Sequence, residues 1–325
     1  MQFPHSKTAM TVALATIATF ALQAHAQSIF HVTRTVSLGG DGSWDYLRFD
    51  PDGNRLFVSR STRVMVVDLA SGKLAAEIPD TAGVHGVALV PELRRGVSSN
   101  GKANTTTIFD LDSLKTVASV PTGEKPDAIL WEPFSRTVLT MNGGANSITM
   151  IDVRAGKAVA AIPLPGRPET AVTDGAGRVF VNLEDKAQIA EIDMATRSVA
   201  HVWDLADCTE PTGLAIDREH ARLFSGCHNS VLIVVDANSG KNIQKLSIGA
   251  GVDAVAFDSA IRTVFTSNKE GSISVIEQVN ADTYRNRETV PTLAGAKTMA
   301  LDPVRHLVYT VANREGQFVL LEVGR

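Results

Sequence analysis

Short apolar runs, each bounded by turn-forming residues, succeed one another from residue 43 to the end of the chain. They fall into groups of four. The third run of each group ends on an acidic residue, at Asp68, Asp110, Asp152, Asp193, Asp236, Glu277 and Glu322, positions 42, 42, 41, 43, 41 and 45 apart. Runs this short, rich in Val, Ile, Phe and Thr, predict strands rather than helices. A period in this range with four strands per unit is the signature of a β-propeller. The pattern therefore predicts an all-β fold, a seven-bladed propeller with four-stranded antiparallel blades.

The inner strands read YLRFDP from Tyr46, GVALVP from Gly86 and AILWEP from Ala128, then AVTDG, GLAID, AVAFD and MALDP. Each is apolar enough to be buried on both faces and is stopped by Asp, Glu or Pro. The second strands run from RLFVS to HLVYTVAN, and the third from VMVVD to FVLLE. A tight turn follows each terminal acid, as at Ser71-Gly72-Lys73, Ala155-Gly156-Lys157 and Ser239-Gly240-Lys241. Glycine supplies the positive φ such a turn needs. The acids are expected to accept hydrogen bonds within that turn, away from any site. The last group has three runs. Its fourth is predicted at the other end of the chain, in FHVTRTVSLGG (Phe30 to Gly40), which would close the ring and remove exposed sheet edges.

Residues 1–26 do not share the pattern. Lys7 precedes an uncharged, mostly apolar run from Ala9 to Leu22, followed by Ala24-His25-Ala26. That reads as a secretory signal peptide cut after Ala26. The run is too short to span a bilayer, and no membrane insertion is expected after cleavage. Residues 27–325 are then expected to form a single propeller domain in the periplasm or outside the cell. Net charge is −4, which disfavours a general nucleic-acid or membrane-surface binder. The two cysteines, Cys208 and Cys227, suit an oxidising compartment. The predicted strands bring them to one face of blade five, where a disulfide is plausible; two separate thiols remain the alternative. Covalent c-type haem is excluded, because no C-x-x-C-H motif is present. Neither a P-loop, a G-x-S-x-G nor an H-E-x-x-H is found.

The second strands also carry FTSN (Phe265 to Asn268), LTMN (Leu139 to Asn142) and YTVAN (Tyr309 to Asn313). With the terminal Asp and the Gly-Lys turn, these resemble the YVTN-type repeats of YncE-like bacterial propellers. The resemblance covers essentially all of residues 27–325 and implies an exported seven-bladed propeller. It implies no reaction. No Trp-Asp ends a third strand and no paired glycines recur, so the WD40 and kelch types fit less well.

In such a fold, the residues that begin the inner strands converge on one mouth of the central channel. Here they are Asp45, His85, Asp127, Glu169, Thr212, Asp253 and Lys297. Asp45, His85, Asp127, Glu169 and Asp253 could hold a divalent cation, or one carboxylate raised by crowding could act as acid or base. They could equally be a solvated channel lining. The loops between second and third strands add Arg60, Asn100, Asn142, Asn182, His228, Asn268 and Asn313. With Arg63, Lys102, Lys269 and Trp44 these form a candidate surface for an anionic or small polar ligand, a periplasmic protein or, more weakly, single-stranded nucleic acid stacked on the indole. Asn and Arg are also ordinary loop residues.

With no catalytic motif present, the sequence points first to a non-catalytic binding or protein-interaction scaffold acting through the channel mouth. A metal-assisted lactonase or lyase using the channel carboxylates is the alternative. A third reading, an accessory subunit of a redox enzyme, rests on fold analogy.

Overall fold

The computed structural model describes residues 1–2, 29–40 and 42–325. The proposed signal peptide therefore lies almost wholly outside the described residues. Seven four-stranded antiparallel sheets form seven blades. Blade one is Leu47–Asp50, Arg55–Arg60, Arg63–Asp68 and Lys73–Ile78, from the channel outward. Blades two to six repeat that order, with inner strands Val84–Val90, Pro126–Glu132, Pro168–Thr173, Pro211–Asp217 and Val252–Asp258. Blade seven has Met299–Asp302, Leu307–Arg314 and Gln317–Gly324, and is completed by His31–Ser37.

The closing strand runs antiparallel to Gln317–Gly324, with His31 opposite Gly324 and Ser37 opposite Val319. Its anchor is Phe30, buried between blades six and seven with its ring edge-on to Phe265 at 5.3 Å. The first and last strands along the chain thus share one sheet, as the repeat arithmetic predicts.

Middle strands are apolar on both faces because each blade packs against two others. Seven apolar clusters result, one in each interface between neighbouring blades. The acids ending the third strands cap the following turns. Asp68 Oδ1 accepts from Ser71 N at 2.7 Å, Asp152 Oδ1 from Ala155 N at 2.9 Å and Asp236 Oδ1 from Ser239 N at 2.9 Å. Gly72, Gly156 and Gly240 take φ of 71°, 63° and 71° there, a region that disfavours residues with a Cβ. Cys208 and Cys227 are joined by a disulfide with Cα atoms 5.5 Å apart.

Candidate functional site at the channel mouth

The upper mouth is the end at which the inner strands begin. In blades two to six the ladder slips there, between Val84 and Val87, Pro126 and Ile129, Pro168 and Ala171, Pro211 and Leu214, and Val252 and Ala254. A bulge releases residues from the ladder and re-aims their side chains. The residues released first are His85, Asp127, Glu169, Thr212 and Asp253. Asp45 and Lys297 complete the ring just before the inner strands of blades one and seven.

Four carboxylates meet two basic groups in this ring. His85 Nδ1 lies 2.6 Å from Asp45 Oδ2 and 3.5 Å from Asp127 Oδ1. One ligand atom from each of these three residues falls within 4.8 Å of the others. Lys297 Nζ lies 2.5 Å from Asp253 Oδ2 and 3.7 Å from Asp45 Oδ1. Glu169 accepts a hydrogen bond from Tyr46 Oη at 2.9 Å. Thr212 is buried, its hydroxyl donated to the Val252 carbonyl at 2.8 Å.

Crowding sets the protonation. Burial, then repulsion from Asp45 and Asp253, lifts Asp127 to about 7 against the pull of His85 and Lys297. Its side chain keeps 27% exposure to the mouth, so water screens part of this effect. Glu169 is pushed well above the usual carboxylate range by burial and by Asp127 and Glu184. Asp253 is raised by burial in spite of Lys297. For His85 burial works downward, but the Asp45 hydrogen bond and the nearby carboxylates outweigh it and raise the imidazole.

The Tyr46 phenol reaches from blade one to Glu169 and Thr170 in blade four, as far across the ring as seven blades allow. Its side chain therefore bars the channel and floors the mouth. Above it lie two cavities. One of about 660 Å³ is bounded by Asp45, His85, Lys102, Lys125 and Asp127; the other, of about 420 Å³, by Glu169, Glu184, His228, Asp253, Lys269 and Lys297. Ser43 and Trp44 border both, so the indole stands as a partition between them. Trp44 rests on Phe318 with ring centroids 5.4 Å apart, and its buried Nε1 has no hydrogen-bond partner among the described residues.

The structure thus brings Trp44, Asp45, His85, Asp127, Glu169, His228, Asp253 and Lys297 to one mouth. His228 stands at its edge, 2.8 Å from Glu210. Other residues expected at the mouth lie elsewhere. Asn100, Asn142 and Asn268 are buried inside their blades. Each carboxamide accepts from a Ser or Thr two residues earlier and donates to two hydroxyls on the third strand, as Asn142 does to Ser147 at 3.2 Å and Thr149 at 2.9 Å. Asn182 is also buried and ties blade four to the Thr212 carbonyl of blade five at 3.0 Å. Arg60 is 1% exposed, lies 3.7 Å over the Phe318 ring and donates to the Gly40 carbonyl at 2.9 Å. Arg60, Asn100, Asn142 and Asn268 turn inward because the last residue of a second strand faces the blade, not the loop; Asn182, one before the last, faces blade five instead. Asn313 is exposed on the rim and borders neither cavity.

Two participants were missed by the sequence reading, Tyr46 and Glu184. Tyr46 had a visible signal. Its equivalents in the other inner strands are Gly86, Ala128, Thr170, Gly213, Ala254 and Thr298, all small. Glu184, held by Arg167 at 2.6 Å, gave none.

No protein-family model matches the chain, and no curated protein matches it. Among solved structures the chain is similar to Kuenenia stuttgartiensis hydrazine synthase, with TM-score 0.75 and 14% identity over 87% of this chain and 96% of that one. Likeness at that identity shows the fold, a seven-bladed propeller, and nothing of the chemistry.

Proposed function

We propose that this protein is an exported, non-catalytic binding propeller of the YVTN-repeat type, whose upper mouth takes a small cationic ligand. One observation carries the reading. Asp45, Asp127, Glu169 and Asp253 converge above the Tyr46 floor, with His85 and Lys297 in the same ring and Lys102, Lys125 and Lys269 on the cavity walls. A cation entering this ring would offset the burial and the mutual repulsion that hold protons on Asp127 and Glu169. The Trp44 indole offers a π-face at the partition, which suits an organic ammonium. The same carboxylates repel a phosphate backbone, which counts against single-stranded nucleic acid. The disulfide and the predicted leader support export. The accessory-subunit reading has no residue to support it, since the likeness to hydrazine synthase is one of fold alone.

A second reading is favoured by the closeness of Asp45, His85 and Asp127. One imidazole nitrogen and two carboxylate oxygens within 4.8 Å suit a divalent transition metal, with the larger cavity left for water or substrate. That arrangement would return the metal-assisted lactonase or lyase.

Thermal unfolding separates the two readings. The protein is stripped with chelator, then titrated with Ca²⁺, Mg²⁺ or Zn²⁺, and in parallel with alkyldiamines and quaternary ammonium ions. A ligand that binds only the folded state raises the melting temperature. A saturable rise with organic cations supports the binding-protein reading. A rise confined to a metal ion supports the second reading and calls for a lactone and lyase screen. No rise with any cation overturns both.

A further inference from the structure

The channel continues below Tyr46 into a separate chamber of about 520 Å³. Residues from the inner strands of five blades border it, among them Ala88, Leu130, Val172 and Ile216, with Trp131 toward its rim. Arg48 projects into this mostly apolar lumen, whose border also carries Arg218, Asp50 and Asp52. Arg48 lies two residues along the strand from Tyr46, about 7 Å below it at the usual strand rise. Its equivalents in the other six inner strands are Ala88, Leu130, Val172, Ala215, Ala256 and Ala300, all apolar. The repeat thus places a cation at a single one of seven matching positions.

Arg48 has no hydrogen bond or ion pair to another described residue, unlike Arg55, Arg95, Arg178 and Arg222, which are all paired to carboxylates. Asp50 and Asp52 also border the chamber, but other arginines engage them. Asp50 is held by Arg55 Nε at 2.8 Å, and Asp52 lies 3.6 Å from Arg94. The Arg48 side chain is open to the lumen but enclosed by protein, and that enclosure lowers its pKa against the pull of Asp50. Arg218, fixed through Nε to the Thr173 carbonyl at 3.0 Å, adds a second positive charge on the border.

We infer that this lower chamber is a second binding site, distinct from the upper mouth, that takes a small organic carboxylate with an apolar body. The guanidinium offers a planar fork that matches a carboxylate with two parallel hydrogen bonds. Leu130, Val172 and Ile216 offer the apolar wall for the rest of the ligand. The fit is that of a typical small-molecule pocket, mostly apolar with a few polar groups that orient the ligand. With Asp50 and Asp52 held by Arg55 and Arg94, Arg48 and Arg218 disfavour an amine or a metal ion here, whereas the upper ring of carboxylates disfavours an anion.

Calorimetric titration tests this with naphthoate as the probe and naphthamide, of similar shape but uncharged, as its control. The wild-type protein is expected to bind naphthoate at one saturable site and naphthamide at least about tenfold more weakly, as loss of a charge-assisted hydrogen-bond pair implies. Arg48→Gln is expected to bring naphthoate down to the naphthamide level, with its unfolding midpoint unchanged because Arg48 has no partner to lose. Arg48→Lys, which keeps the charge, is expected to retain a preference for naphthoate. Equal affinity for acid and amide, wild-type affinity in Arg48→Gln, or no saturable naphthoate binding up to about 1 mM would each overturn the proposal.

Discussion

Asp127 decides how the mouth responds to pH. The folded protein holds a proton on it from the ordinary carboxylate range up to about 7, where the unfolded chain has already lost it. Across that window the folded state binds more protons, so stability falls as pH rises. His85 acts in the same direction. Its raised pKa contributes stability that is full below the ordinary imidazole value and is lost as pH rises through the folded value. The melting temperature is expected to fall as pH rises from about 4 to about 7, and Asp127→Asn is expected to flatten that slope. A variant with the wild-type slope would mean that the carboxyl titrates normally. The buried carboxamides make a different prediction. Asn142→Ala leaves Thr140, Ser147 and Thr149 without their shared partner and should cost about 1–3 kcal/mol in denaturant unfolding, with no effect on cation binding. At this scale the sequence was half legible. The identity of the ring residues could be read because every blade contributes one at the same repeat position. The inward turn of Asn100, Asn142 and Asn268 could not, since strand alternation alone does not say which end residue faces the blade and which the loop.

Two elements shape the site, the bulged inner strand and the closing strand. The bulges are what separate His85, Asp127, Glu169 and Asp253 from an ordinary ladder, and no sequence signature marked them beyond the Pro that begins Pro126–Glu132, Pro168–Thr173 and Pro211–Asp217. Pro gives no ladder N–H, which is consistent with a slip at that point. The closing strand was legible in full, because a seventh repeat one strand short needs a partner from elsewhere. Phe30→Ala should cost about 3 kcal/mol through the cavity it leaves against Phe265. A loosened closing strand also exposes the edge of Gln317–Gly324, so this variant should associate more readily in size-exclusion chromatography. Within blade five, the Cys208–Cys227 bridge spans 19 positions. Replacing both cysteines with serine should lower the unfolding free energy by about 3 kcal/mol, as loop-closure entropy predicts. A loss near zero would show that the blade is held by its packing alone.

The whole molecule is a ring that collects one side chain per blade at each level of its channel. Seven like positions make any exception conspicuous, and both exceptions here fall in blade one. Tyr46 stands against six small residues and closes the channel; Arg48 stands against six apolar ones and charges the space beneath. Period and strand pattern revealed the ring, but the barrier across it depends on reach between blades one and four, which a linear repeat does not display. The acidic mouth is the central claim, and titration of a panel of metal and organic cations into the wild-type protein and the Asp45→Asn/Asp127→Asn double variant tests it most directly. At least one cation should bind the wild type at a single site, and the double variant, still folded, should bind it at least about tenfold more weakly. Equal binding by both proteins, or no cation binding by the wild type, would contradict the account.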